Sequence, residues 1–333
     1  MPNAIALLSG GLDSTLSIIV LLRQGIDVTA LTFLTHFGCD ITDSSSCSKD
    51  PFPAAERFGF KVKLSHLGER FLAIVKNPKF GHGRNMNPCI DCRILMLKEA
   101  KDLMDAVGAD FIITGEVLGQ RPMSQKKDTL AIIAREAGLD GLVLRPLSAR
   151  LLPITIPEER GIVDRERLYD FHGRSRKSQM AIAREFGLTE YPAPAGGCLL
   201  TDPIYSRRLK DLLLYTPEPD FSDLNLLKVG RHFRISDRCK VIVGRDKREN
   251  GQINGLLKTG DYLLEVKDTG SPLVILRGEG ADGHIGLTAS ICARYSDKKN
   301  EPQVEVTISR NGSVIKETVR PAHDDMLNKM RIN

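Results

Sequence analysis

Two rhythms of apolar and polar positions divide the chain. Apolar runs at residues 4–8, 28–34, 111–114 and 142–147 read as strands, as does the alternating stretch 61–67. Between them apolar residues recur at helical spacing over 14–24, 93–107, 129–137 and 179–186, the last closed by Gly187. In 93–107 the repeating positions are Ile94, Leu95, Leu97, Ala100, Leu103 and Met104. Alternating strands and helices predict an α/β fold: a doubly wound parallel sheet covered on both faces, with ligands at the carboxyl ends of the strands.

After Pro217, Glu218 and Pro219 the rhythm changes. Short β-type runs at 233–235, 240–243, 262–266, 273–276 and 304–308 are broken by Gly, Asn and Asp, with one helix expected over 287–295. This predicts a first domain over 1–215, a linker over 216–227 and a smaller α+β domain over 228–333. The Ser-, Asp- and Cys-rich segment 38–49 reads as a mobile loop.

Composition narrows the class. The chain has 333 residues, 41% of them hydrophobic and 27% charged, enough apolar material for two cores. No apolar run approaches bilayer length, and the first residues lack a basic secretory leader. Seven cysteines, an odd count, argue against a disulfide scaffold and for a reducing, cytoplasmic setting.

The net charge of +5 sits entirely in the last third, where residues 225–333 hold 19 Lys and Arg against 14 Asp and Glu. It peaks between Lys228 and Arg248, with Arg231, Arg234, Arg238, Lys240, Arg245 and Lys247 between them and only Asp237 and Asp246 opposing before Glu249. A stripe of this kind is the footprint of a phosphate backbone, or a solvated strand face.

Ser9, Gly10, Gly11, Leu12, Asp13 and Ser14 follow the first strand directly and open the first helix. Two glycines let the backbone approach an anion, and N–H groups at the helix start point at it. The two hydroxyls add donors, and Asp13 is placed to hold a Mg²⁺ that bridges phosphates. No Gly-Lys-Ser/Thr occurs, so this is not a Walker A loop.

Cys89 and Cys92, spaced as CxxC, come just before the helix predicted from Arg93, and Cys198 stands alone. Thiolates at a helix start have lowered pKa and serve as metal ligands or nucleophiles. Three such ligands would leave one iron of a 4Fe–4S cluster open; the alternatives are persulfide chemistry on Cys198 or Cys92, or structural zinc. Cys239 and Cys292 read as core, whereas Cys39 and Cys47 lie in the loop after the second strand. Arg174, Arg176 and Lys177, then Arg207 and Arg208, bracket Cys198 and are candidates to orient an RNA backbone.

The loop of residues 9–14 resembles the signature of the N-type ATP pyrophosphatases, the PP-loop superfamily, which split ATP into AMP and pyrophosphate. Residues 114–120 with Ser124 and Gln125 are similar to the matching segment of tRNA 4-thiouridine synthetases. That resemblance implies ATP contacts by Gly115, Glu116 and Gln120, and places Phe33 at the adenine. The three cysteines resemble the set in cluster-dependent tRNA thiolases.

Residues 243–250, 261–274 and 295–299 resemble the NFACT-R domain, which implies RNA binding over 228–312. Positions usually aromatic or His are Leu and Glu here, so contact is expected through the phosphates, by Arg231, Arg234, Arg245, Lys247 and Arg248. A formal dinucleotide pattern at Gly278, Gly280 and Gly283 lacks a parallel βαβ context and is set aside.

Together these features lead to an ATP-dependent tRNA sulfurtransferase. It uses ATP, Mg²⁺ and a 4Fe–4S cluster to make 4-thiouridine or 2-thiouridine, with sulfur from free sulfide or a cysteine desulfurase system. The competing readings are a thiolase using a persulfide without a cluster, a PP-loop amide ligase acting on a small carboxylate, and a non-catalytic RNA-binding factor.

Overall fold

The computed structural model describes residues 2–37, 50–192 and 198–332, which form two compact units, 1–201 and 202–333. The segment expected to be a mobile loop, with Cys39 and Cys47, lies outside the described residues.

The first unit is built on strands β1 (Asn3–Leu7), β2 (Asp27–Leu34), β3 (Lys61–His66), β4 (Phe111–Thr114) and β5 (Val143–Leu144). They form one parallel sheet in the order β3-β2-β1-β4-β5. The chain reverses its direction of travel at β1, and Leu7 pairs with Leu31 on one side and Thr114 on the other. Alternate residues of β1 and β4 face opposite ways, yet all but Asn3 are buried, so both faces are covered.

Helix α1 (Leu12–Leu22) packs Ile18 and Leu21 in a core with Ala4, Ala6, Phe111 and Ile113. Helices α2 (Phe52–Phe58), α3 (Gly68–Lys76), α4 (Cys89–Val107), α5 (Lys127–Glu136), α6 (Ile156–Glu159) and α7 (Lys177–Glu185) complete the unit.

Two expectations shift in detail. Strand β5 is two residues long rather than six: Arg145 turns inward to Glu116, and Pro146 has no N–H to continue the ladder. Helix α4 begins at Cys89 rather than Arg93, since the Cys92 N–H already donates to Pro88 O at 2.8 Å. Both cysteines are therefore in its first turn.

The second unit holds α8 (Pro203–Tyr215), α9 (Phe221–Leu226), β6 (Arg231–Ser236), β7 (Cys239–Val243), α10 (Lys247–Asn254), β8 (Tyr262–Glu265), β9 (Val274–Gly278), α11 (Ile285–Tyr295), β10 (Val304–Arg310), β11 (Ser313–Val319) and α12 (Asp324–Met330). Its strands form an antiparallel sheet in the order β11-β10-β8-β9-β7-β6. The period of two is plain in β7. Val241 and Val243 share a core with Ala289 and Cys292 of α11, while Ile242 faces Leu226 of α9 and Ile253 of α10.

The division falls before α8, not after residue 215, because α8 is bonded into the second unit. Arg208 donates to Leu227 O at 2.9 Å and Gly230 O at 3.0 Å, and Asp211 pairs with Arg234. The stretch read as a linker carries α9, whose Asp223 pairs with Arg277. The Gly278 pattern sits in an antiparallel sheet, and a Cβ at Gly278 would meet Arg238 O at 1.8 Å. That glycine answers to backbone crowding.

Candidate functional site

Three neighbouring strands of the parallel sheet end in the loops that carry the predicted chemistry. After β1, Gly10 takes φ +68°, and α1 opens at Leu12 from Gly11. The hydroxyls of Ser9 and Ser14 lie 3.1 Å apart, and Ser14 Oγ donates to Gly11 O at 3.0 Å, closing the loop around the first turn.

After β4, Gly115 presses on that turn: a Cβ there would lie 2.5 Å from both N and Cα of Ser14. Gln120 Nε2 then donates to Asp13 Oδ2 at 3.0 Å. Asp13 Oδ1 is buried and accepts no hydrogen bond. Burial raises the Asp13 pKa, against the Gln120 bond and the nearby Arg176 and Arg121 guanidinium groups. A carboxylate with one oxygen fixed and the other left open suits a divalent cation, so Asp13 fits the Mg²⁺ expected of this loop.

Glu116 stands apart from this group. It is buried, with Oε2 3.1 Å from Arg145 Nε and accepting from Thr114 Oγ1 at 3.1 Å. Phe33 is buried near the end of β2, one residue before Leu34. A cleft of about 310 Å³ beside β5, lined by Leu130, Val143, Leu152 and Ile154, includes none of these residues.

Cys198 meets the same edge of the sheet. Just past β2, the carbonyl of Phe37 accepts from Cys198 Sγ at 3.6 Å. Met86 N–H donates to Leu200 O at 3.1 Å and Asn85 Nδ2 to Thr201 O at 2.7 Å, tying the approach to Cys89 to the chain beyond Cys198. Asp91, buried in the first turn of α4, takes the backbone N–H groups of Lys79 and Phe80 at 2.9 and 3.1 Å.

Burial raises the Cys89 thiol pKa, opposed by Arg93 and Arg121. The lowering expected from a helix start is overridden by desolvation. Among the described residues no group of three His, Cys, Asp or Glu side chains is placed to hold a metal ion. Cys239 and Cys292 are fully buried core thiols, the second pushed up to about 12 by burial.

The basic residues sort by environment. Arg174, Lys177, Arg207, Lys247 and Arg248 are exposed. Arg231 stacks over Tyr295, with the guanidinium carbon 4.9 Å from the ring centre. Arg245 is paired with Glu249. Arg208 and Arg234 are bonded inward to Leu227, Gly230 and Asp211. Lys240 is buried 3.7 Å from Asp211, and burial lowers its pKa to about 7. The stripe seen in sequence is thus partly interior.

Comparison with known proteins agrees with this geometry. Residues 2–150 match the family described as thiamine biosynthesis protein (ThiI), and residues 230–331 match the NFACT protein RNA binding domain. A tRNA-specific 2-thiouridylase of Stutzerimonas stutzeri is 30% identical over 87% of this chain and 81% of its own length.

The chain belongs to the tRNA thiouridylases.

A second thiouridylase relative, the tRNA-specific 2-thiouridylase of Pelotomaculum thermopropionicum, is 25% identical over 96% of this chain and 87% of its own. A crystal structure of a 4-thiouridine synthetase–RNA complex with bound ATP aligns over 56% of this chain and 41% of that one, at 20% identity and a TM-score of 0.39. This thiouridylase is a tRNA sulfurtransferase with a PP-loop α/β unit and an RNA-binding unit. No described helix is long and apolar enough to cross a membrane.

Sequence reading missed Arg121 and Asp91 in the thiouridylase. Arg121 follows Gln120 directly, and its charge acts on both Asp13 and Cys89. The available signal was its place next to a residue already singled out. Asp91 had one too, standing inside the CxxC spacing.

Proposed function

We propose that this thiouridylase binds ATP at Ser9, Gly10, Gly11, Asp13 and Ser14, activates a tRNA uridine by adenylation and replaces its oxygen with sulfur to give 2-thiouridine. The 2-thio product follows the names of relatives that span most of the chain. The observation that carries the reading is shared placement. The phosphate loop after β1, the Gly115–Gln120 segment after β4 and the Cys198 contact after β2 lie at one carboxyl edge of the sheet.

In the first step the uridine carbonyl oxygen attacks the α-phosphorus of ATP. The bond to the β-phosphate oxygen breaks, and pyrophosphate leaves with its electron pair. In the second, a sulfur nucleophile attacks the activated carbon, the carbon–oxygen bond breaks and AMP departs; the N3 proton lost on activation is regained, so the 2-thiouridine keeps its N3–H. Mg²⁺, held by Asp13, supplies charge neutralisation for the leaving phosphates. The 9–14 loop offers Ser hydroxyls and helix-start N–H groups to the same charge. Gly115 and Gln120 fix the loop and the Asp13 rotamer, and Phe33 lies on the adenine side. Buried Glu116 braces the segment after β4 through Arg145 instead of meeting the nucleotide.

Cys198, Cys92 and Cys89 serve sulfur delivery. A cysteine desulfurase system hands Cys198 a sulfur already at the persulfide level, and its outer sulfur attacks the uridine carbon. A second thiol, Cys92 or Cys89, then attacks Cys198 Sγ, releasing the thiolated uridine and leaving a disulfide that an external thiol reductant reopens. Free sulfide, where it is the source, attacks the carbon directly. The RNA-binding unit and the exposed Arg174, Lys177 and Arg207 hold the tRNA backbone. Because the target carbonyl must reach a recessed loop, the uridine unstacks on binding.

The test is AMP formation by the full chain with and without unmodified tRNA and sulfide, followed by mass spectrometry of digested nucleosides. The expected result is tRNA-dependent AMP with matching 2-thiouridine. A 4-thio product overturns the assigned position, whereas AMP formed on small carboxylates with ammonia and no tRNA overturns the reading in favour of an amide ligase.

A further inference from the structure

Three loops meet at Asp13, and two of them bring a cation. The first is the phosphate loop itself. The second, residues 115–121, is fixed to it by the Gln120–Asp13 bond. It is also closed on itself: Arg121 N–H donates to Oε1 of buried Gln125 at 3.0 Å, and Gln125 N–H donates back to Arg121 O at 3.0 Å. The third, residues 172–176, is laced to the second by a parallel bridge between Leu118 and His172 and by Gly173 N–H donating to Leu118 O at 2.7 Å. Helix α7 continues from it and packs Ile182 and Ala183 against Leu12, Leu16 and Ile19 of α1. Arg176, heading α7, is therefore held beside the first turn of α1.

Arg121 directly follows Gln120, whose side chain is bonded to Asp13, and Arg176 stands three residues past Gly173, whose N–H is bonded to Leu118 O of the same loop. Arg176 Nε is buried with no hydrogen-bond partner, and the Arg121 side chain is exposed. A buried, unanswered donor differs from a residue that reads an RNA surface. Two cations against one carboxylate leave net positive charge where the phosphate chain would lie.

We propose that Arg121 and Arg176 form a two-armed clamp for the β- and γ-phosphates of ATP, the part that departs as pyrophosphate. This deepens the nucleotide reading above and rests on it. It moves Arg176 from tRNA contact to nucleotide contact, leaving Arg174 and Lys177 for the RNA. It also makes the site discriminate by phosphate number: ATP and pyrophosphate engage both arms, whereas AMP, the later leaving group, engages neither and is released.

Titration calorimetry of the full chain with α,β-methylene-ATP, pyrophosphate and AMP, in the presence of Mg²⁺, tests this. Arg121→Gln and Arg176→Gln are each expected to weaken the analogue and pyrophosphate about tenfold and to leave AMP unchanged. Arg121→Lys and Arg176→Lys recover part of the loss, and Lys126→Gln serves as a neighbouring charge control. Melting curves establish that each variant is folded, with the Lys variants carrying the test if a Gln variant is not. Unchanged analogue affinity, equal weakening of AMP, or an Arg176→Gln effect confined to tRNA binding overturns the clamp. A wild-type chain that binds none of the three ligands overturns the nucleotide reading instead.

Discussion

Gln120 donates to Oδ2 of Asp13 at 3.0 Å across 107 positions of sequence, leaving Oδ1 buried and without a hydrogen bond. One bond thus fixes the rotamer of the carboxylate and decides which oxygen stays open. Asp13→Asn is expected to lower tRNA-dependent AMP formation at least 100-fold, and Gln120→Ala about tenfold with a raised Mg²⁺ requirement. Because burial raises the Asp13 pKa, the ionised side chain opposes folding above the ordinary carboxylate range. Asp13→Asn should therefore melt no lower than wild type at pH 7 without Mg²⁺, with any gain gone below about pH 4, as calorimetric melts would show.

Gly115→Ala inserts a methyl 2.5 Å from the Ser14 backbone, which has no flexible end to yield. A loss of about 2 kcal/mol in urea unfolding is expected, with ATP affinity reduced tenfold or more as the turn is displaced. Normal ATP binding in this variant would show that the loop tolerates a shift.

Cys198→Ala should abolish tRNA thiolation while ATP binding stays within twofold of wild type. Cys92→Ser and Cys89→Ser are expected to do the same if the thiols act as a set. Anaerobic purification with iron, sulfide and zinc analysis separates the possible roles. An iron-free protein that thiolates tRNA assigns the chemistry to the thiols, and about four irons per chain lost in all three variants assigns it to a cluster.

In the second unit, inward and outward cations should behave differently. Arg234→Ala breaks a two-bond pair with Asp211 and leaves Lys240 beside it, at a cost of about 3 kcal/mol in stability. Lys247→Ala and Arg248→Ala should leave stability unchanged. Each should weaken RNA binding a few-fold and reduce the slope of log affinity against log salt by about one.

Lys240 gives the second unit a pH signature. Its pKa falls from 10.5 to about 7 on burial. Between those values the unfolded chain holds a proton that the folded chain does not, so stability rises with pH through that window, by about 1 kcal/mol per unit, and is flat in this term below it. Denaturation at pH 7 and 9 with wild type and Lys240→Met checks this: the substitution should remove the slope.

The centre of the parallel sheet was legible because β1 and β4 are buried on both faces and read as nearly unbroken apolar runs. The edge strand β3 has no buried residue and showed only in the alternation of Val62 and Leu64 with polar neighbours. The phosphate loop was legible because its residue types and order are local. What escaped depends on distant partners. Nothing near Arg208 or Arg234 shows that the first meets Leu227 and Gly230 or that the second meets Asp211. On sequence alone they join the basic stripe, and α8 joins the wrong domain. The early end of β5 was visible in Pro146, but the apolar run through Leu147 outweighed it. The Cys89 thiol followed the helix-start rule in sequence and the desolvation rule in the fold.

Since α8 belongs with the strands that follow it, the natural seam for recombination in this gene lies at Asp202 rather than beyond Tyr215. A chimera joined at residue 215 would carry Arg208 and Asp211 away with the catalytic unit. Leu227, Gly230, Arg234 and Lys240 would then be left without the groups that satisfy them. A chimera joined at 201 would transplant the RNA-binding unit with its polar interior whole. An evolving enzyme could exchange one RNA target for another by that cut without rebuilding either core.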